Sequence, residues 1–111
     1  MAHALTALLC STASESAREM TKVLSQVRLI YEGETEKPTP HHFHPIVMER
    51  HDAIVATASA AAKRIAHLIR RSSVRGRQLE EIRADGKRLA RELARLDRSR
   101  RHFRRAAATA A

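Results

Sequence analysis

The apolar positions of residues 45–73 recur at alternating intervals of four and three: Val47, His51, Ile54, Ala58, Ala61, Ile65 and Leu68. This is the repeat of a helix that packs lengthwise against other helices, and it predicts one glycine-free helix over the whole stretch. Pro45 suits the first turn, where its missing N–H costs nothing. A first helix is predicted over residues 3–31, where Leu9, Ala13, Ser16, Met20, Val23, Val27 and Ile30 follow the same spacing. Gly33 and the acidic, proline-marked stretch 32–40 end it, with Glu32, Glu34 and Glu36 expected in solvent. After a break near Gly76, a third helix is predicted over residues 78–105 from Leu79, Ile82, Gly86, Leu89, Leu93, Leu96, Arg100 and Phe103. Gly86 and Arg100 are two faults in that seam. Beyond Arg105 the alanine-rich tail is expected to fray.

No alternating strand pattern occurs, so the fold class read from the pattern is all-α. The seam residues expected to form core and interface are Val47, Ile54, Ala58, Ile65 and Leu68, with Val23, Val27 and Ile30 from the first helix. Three narrow seams rich in Ala, Ser and His make a thin core for one chain. A homodimer that completes a bundle would thicken it.

The other side of the second helix has a different chemistry. Arg50, Thr57, Arg64 and Arg71 recur at a strict interval of seven, with Lys63 and Arg70 close by. Ala53, Ala56 and Ala60 lie between them. Small residues there let the helix surface approach something flat and anionic, while the cations form a rail about 10 Å apart in steps, seven residues at roughly 1.5 Å each.

Charge strengthens that picture. The net charge is +9, and 14 of the 21 Lys and Arg fall within residues 70–105. Nucleic acid, an anionic membrane surface and an acidic protein partner are the usual counterparts of such a balance. Tyr31, Phe43 and Phe103 are the only aromatic residues. Proteins that grip single strands stack bases on aromatic rings, whereas a duplex held through its phosphates needs no such platform. The charge of the third helix also reads simply as a solvated coiled-coil face, with Glu80, Glu81, Glu92 and Asp97 offsetting part of it.

Candidate chemistry adds little. The sequence holds no P-loop, no glycine-rich phosphate cradle, and no nucleophile spaced with a base and an orienting acid, so binding rather than catalysis is expected. No cofactor and no small-molecule substrate are implied. His44, Met48 and His51 share one helix face, and soft Met with imidazole suits copper. No closed ligand set has recognisable spacing, however, and turn histidines plus one packed histidine is the expected reading. A single cysteine, Cys10, cannot form an intrachain disulfide. Residues 2–10 are apolar but lack a basic flank, are too short to span a bilayer, and read neither as a signal peptide nor, with Glu15 and Glu19 following, as a mitochondrial presequence.

Two runs resemble a known family: Ala53-x-x-Ala56-Thr57-x-Ser59-x-x-x-Lys63 in the second helix, and Arg75-Gly76-x-x-Leu79-Glu80 followed by Ala84-Asp85 and a leucine heptad segment. Both are similar to the small B-two proteins of insect nodaviruses, suppressors of RNA silencing, over roughly residues 47–96. The resemblance implies an all-helical homodimer, an antiparallel four-helix bundle made from the first two helices of each chain. It also implies sequence-independent binding of double-stranded RNA along one long face, which shields the duplex from Dicer and from the silencing complex. Residues 1–74 would be the dimerisation and duplex-binding hairpin, and 75–111 a basic C-terminal helical segment with its tail. The location implied is the cytoplasm of an infected host cell, mitochondrial replication sites included.

In that family basic residues sit at seven-residue intervals on the second helix. Here Arg50, Arg64 and Arg71 occupy that rail, and Lys63 and Arg70 flank it. Thr57 stands where another cation is expected, and its hydroxyl offers a hydrogen bond to phosphate or ribose. Arg83, Lys87, Arg88, Arg91 and Arg95 extend the basic character beyond the family pattern. The same charges also fit a helical DNA-binding or nucleoid-type dimer. A coiled-coil adaptor or export chaperone docking through the third seam is an alternative of another class. A basic membrane-surface helix ranks below these, because the charged sides carry no Trp, Phe or Leu for insertion.

Overall fold

The computed structural model describes residues 2–32, 44–71 and 76–110. Three helices account for nearly all of these: α1 (Ala2–Glu32), α2 (Pro45–Arg71) and α3 (Arg77–Ala110). The predicted helices are therefore present, with ends shifted by a few residues. The largest shift is at the C-terminus, where α3 runs through the tail that was expected to fray. Alanine is the best helix former, so a tail of alanines extends a helix already nucleated by packing. Gly33, Glu34, Glu36, Phe43, Ser72, Ser73 and Arg75 lie outside the described residues.

The start of α2 is set by His44. Its ring Nδ1 accepts the N–H of Ile46 at 3.2 Å, and its carbonyl accepts the N–H of Met48 at 3.1 Å. His44 thus acts as the N-cap, with Pro45 in the first helical position as the sequence predicts. Before α3, Gly76 takes φ +65°, a left-handed conformation that glycine adopts without strain, and its carbonyl receives the N–H of Glu80 at 3.1 Å.

The chain runs up, down and up, so that α1 and α3 are parallel and α2 is antiparallel to both. Partners on α1 and α3 rise together, from Arg18 with Asp85 to Glu32 with Ser99, whereas Asp52 and Ile65 of α2 meet Arg100 and Gly86 respectively. The result is a rod of 59 × 22 × 18 Å. One core runs its length and draws on residues from both sides of position 75.

Each helix gives that core a fully buried residue every seven positions. At one end Tyr31, His51 and Phe103 meet edge to face, with ring centroids 5.3 and 5.2 Å from Tyr31. Steps of seven along each helix then give Leu24, Ala58 and Leu96; Ala17, Ile65 and Leu89; and Cys10 with Ile82, all at most 2% exposed. Small residues on α1 and α2 are matched by large ones on α3. The three seams, expected to make only a thin core in one chain, thus close a continuous core within it.

Three expectations change. The seam of α1 is Cys10, Ala13, Ala17, Met20, Leu24, Val27 and Tyr31, so Ala13, Met20 and Val27 are shared with the expected seam while the alternate positions move by one. Leu9 and Ile30 are consequently 51% and 41% exposed, and Val23 is half-buried. Ile30 is thus not a core residue. Both faults in the α3 seam also have causes. Gly86 faces Ile65, whose Cγ2 would lie 2.8 Å from a Cβ added at Gly86, so the missing side chain sets how closely α2 and α3 approach. Arg100 is buried, donates to Asp52 at 2.5 Å and lies over the Tyr31 ring at 5.8 Å.

A testable consequence follows at Gly86. Alanine would gain about 1 kcal/mol of helix propensity but forces the rigid β-branch of Ile65 aside, an overpacking cost of about 1–3 kcal/mol. The expected net result is a loss of up to about 2 kcal/mol in chemical denaturation. Ile65→Leu, which removes the branch at Cβ, should restore part of it. Additive losses in the double variant would refute the contact as the reason for glycine.

Candidate nucleic-acid interface

The outer face of α2 forms because its inner face is occupied. Val47, Ile54 and Leu68 are half-buried and Ala58 and Ile65 fully buried, which turns the intervening positions outward. Arg50, Thr57, Lys63, Arg64 and Arg70 are all exposed, and so are Ala53, Ala56 and Ala60. The rail and its alanine floor therefore share one solvent-facing surface, as the seven-residue spacing requires. Arg71 closes α2, and its side chain lies outside those described.

Among the described residues none of Arg50, Lys63, Arg64 and Arg70 is held in an ion pair. The cations are therefore available to an external anion without first breaking an internal contact. Thr57 differs from the expectation: its hydroxyl donates to the Ala53 carbonyl at 3.0 Å. With its proton engaged, it presents lone pairs outward. It can accept a hydrogen bond from a ribose 2′-hydroxyl but has no proton free for a phosphate.

The basic residues of α3 divide by what surrounds them. Arg88 and Arg95 bind Asp85 and Glu92 at 3.2 and 3.4 Å and, with Arg91 and Thr21, line a cleft of about 200 Å³ between α1 and α3. Arg83 and Lys87 instead border an apolar groove against α2. Arg101 is paired with Asp97. Part of this charge is thus directed into the bundle's own carboxylates, of which Asp97 is exposed as a solvated face requires, whereas Asp85 and Glu92 are buried.

A polar ladder between α1 and α3 escaped the sequence reading. Asp85, Glu92 and Ser99, spaced by seven, are all buried and meet Arg18 at 3.4 Å, Arg28 at 3.0 Å and Glu32 in turn. Their common interval of seven, beside the leucine seam of α3, was the available signal. Glu32, expected in a solvated loop, instead closes α1, pairing with Arg28 at 2.5 Å and accepting the Ser99 hydroxyl.

The histidine and methionine cluster resolves into packing and capping. His51 is 5% exposed, with Nδ1 2.5 Å from the Tyr31 hydroxyl, which also lies 3.7 Å from Met48 Sδ. His44 caps α2. Among the described residues no group of three or more His, Cys, Asp or Glu is placed to hold a metal ion, and no helix is long and apolar enough to cross a membrane.

Glu32, Asp52 and Tyr31 are among the groups in this end of the bundle with shifted pKa values. The Ser99 hydroxyl and then Arg28 hold the Glu32 carboxyl below its ordinary value, and the Arg100 hydrogen bond does the same for Asp52. Burial pushes the Tyr31 phenol up, against the opposing pull of Arg100. The two depressed carboxyls stabilise the fold above the ordinary carboxylate range, and this is lost as pH falls through their folded values. The raised phenol has the opposite sign: its contribution is complete below the ordinary tyrosine value and disappears as pH rises through the folded one. The urea midpoint should accordingly fall on acidification below about pH 4, and less steeply in Asp52→Asn than in the native chain. Identical acid limbs in the two proteins would count against the Arg100–Asp52 contact.

Comparisons with protein-family models, curated proteins and solved structures return no match.

Proposed function

We propose that this chain binds double-stranded RNA without regard to sequence along the outer face of α2, and by coating the duplex suppresses RNA silencing. The observation that carries the reading is a row of exposed cations free of ion pairs among the described residues, running beside exposed alanines on one straight helix. A-form RNA hides its base edges in a deep, narrow groove, so proteins meet it through shape, phosphates and 2′-hydroxyls. Arg50 and Arg64 supply phosphate contacts, with Lys63 and Arg70 beside them and Arg71 continuing the interval. Thr57, whose hydroxyl donates to the Ala53 carbonyl and keeps its lone pairs outward, suits a 2′-hydroxyl that DNA lacks. The similarity of residues 47–96 to the nodavirus B-two proteins points the same way and supplies the biological role: shielding duplex RNA from Dicer and the silencing complex in an infected cell.

The dimer belongs to this proposal as well. Leu9, Ser16, Val23 and Ile30 recur every seven residues on α1, and Leu9 and Ile30 are substantially exposed. A second copy covering that stripe would assemble α1 and α2 of each chain into an antiparallel four-helix bundle and align two rails on one duplex. Light scattering in solution tests this: a monomer at micromolar concentration excludes it.

The binding test compares duplex RNA, single-stranded RNA and duplex DNA of one sequence at several salt concentrations. Arg50→Ala with Arg64→Ala should lower duplex RNA affinity at low salt and reduce the slope of log affinity against log salt by about two, roughly 0.9 for each phosphate no longer neutralised. An unchanged slope would show that these arginines do not meet phosphate. Equal binding of all three nucleic acids would reduce the activity to that of a generic polycation.

A further inference from the structure

A groove of about 470 Å³ opens between α2 and α3, away from Arg50 and Arg64, lined by Ala62, Ile65, Ala66, Ile69, Gly86 and Ala90. Its volume falls in the range of ligand clefts, roughly 300–1,000 Å³. Ala62 and Ala66 stand one turn apart on α2, as do Gly86 and Ala90 on α3, so the floor lies close to both backbones. The lining runs from Ala62 to Ile69 on α2 and from Arg83 to Ala90 on α3, seven steps on each helix, about 10 Å or two helical turns.

Both banks are cationic. Arg83 and Lys87 line the α3 side. On α2, exposed Lys63 and Arg70 lie three and four residues from Ala66, its helical neighbours. None of the four is in an ion pair among the described residues. An apolar trough two turns long between two rows of unpaired cations is complementary to one kind of object. The geometry points to an acidic amphipathic helix of a partner protein, seated with its apolar residues on the floor and carboxylates along both flanks.

Other occupants match less of the groove. A fatty acid carries its charge at one end, whereas the cations run along both sides. A nucleic acid strand would satisfy the cations but leave the apolar floor unfilled, and the groove has no aromatic ring on which to stack a base. The site shares Lys63 and Arg70 with the flank of the rail, but its floor lies on another face of the bundle and does not depend on the duplex-RNA reading.

The test measures fluorescence anisotropy at physiological salt with a synthetic 18-residue peptide. The peptide places leucine at successive i, i+3, i+4 and i+7 positions and glutamate on both flanks, and a charge-matched control replaces each leucine by glutamine. Saturable one-to-one binding is expected, at least tenfold tighter for the leucine peptide than for the control. Ala66→Trp, which fills the trough, and Arg83→Glu with Lys87→Glu, which reverses one bank, should each weaken it at least tenfold. Arg50→Ala with Arg64→Ala should leave it within twofold, which separates this site from the rail. Because a groove variant can lose its fold, the amide shifts of Gly86 and Ala90 in the unmodified protein provide a second readout and should move with peptide. Equal affinity for the glutamine control, retained affinity in Ala66→Trp, absence of saturable binding, or amide shifts at Gly86 and Ala90 with duplex RNA but not with peptide would each overturn the assignment.

Discussion

Leu96→Ala is expected to lower the stability of the bundle by about 2–5 kcal/mol, the range for removing a fully buried leucine from a close-packed core. Leu96 is 0% exposed. One heptad from the aromatic layer, its own layer is completed by Leu24 and Ala58. With Ala58 already small, the truncation leaves Leu24 as the only large side chain of that layer. The cost should therefore lie in the upper part of the range. For a chain of 111 residues this corresponds to roughly 10–20 °C in the thermal midpoint, followed by circular dichroism at the helical minimum. The same truncation at Leu93, which is half-buried, should cost distinctly less. Equal losses at Leu93 and Leu96 would mean that the heptad layers do not describe the packing.

The layers also show what the sequence could and could not reveal. For α2 and α3 the four-three spacing identified the inward face directly, since Ile65, Ile82, Leu89 and Leu96 have few apolar neighbours that could compete for the same role. On α1 apolar residues come in adjacent pairs: Leu9 with Cys10, Val23 with Leu24, Ile30 with Tyr31. Either member continues the interval from Ala13, Met20 and Val27, so periodicity alone cannot choose between them. The choice is made by α3, whose large residues accept the Cys10, Ala17, Leu24 and Tyr31 side. That is a tertiary decision, and a helix read by itself does not contain it.

Gly86 and Arg100 show the same limit from the other direction. Each breaks the apolar repeat, and each is explained by one residue on α2: the β-branch of Ile65 at the first, the carboxylate of Asp52 at the second. The arginine rail was easier to read. Exposed cations need only to be displaced from the seam, and an interval of seven keeps Arg50, Thr57 and Arg64 outward whatever the partner. The apolar groove between α2 and α3 was not legible, because it exists only where Ala66 and Gly86 are brought together by two helices.

Glu92→Ala is the second large effect, about 3 kcal/mol. Glu92 and Arg28 are each 12% exposed in their side chains and lie 3.0 Å apart, with Arg95 bracing the carboxylate at 3.4 Å. Removing the acid leaves a part-buried guanidinium with Glu32 as its remaining partner. Stranding one charge of a buried pair costs about 3–5 kcal/mol, from which the retained Glu32 contact subtracts a part. Replacing both charges, Arg28→Met with Glu92→Leu, should by contrast be close to neutral or stabilising, because desolvating two ions offsets most of what their attraction returns. Urea denaturation of the two singles and the double separates these terms; a loss below about 1 kcal/mol in Glu92→Ala would place the pair in effectively aqueous surroundings. What the pair supplies is then register. Parallel α1 and α3 present seams that repeat every seven residues, so a slip of one heptad still matches apolar to apolar along most of the interface. Arg18, Arg28 and Glu32 are spaced ten and four apart and meet Asp85, Glu92 and Ser99 in only one alignment. With Asp85→Leu, Glu92→Leu and Ser99→Ala combined, the bundle should hold its helicity while amide exchange along α1 accelerates and its resonances broaden, as expected of a chain that samples more than one alignment.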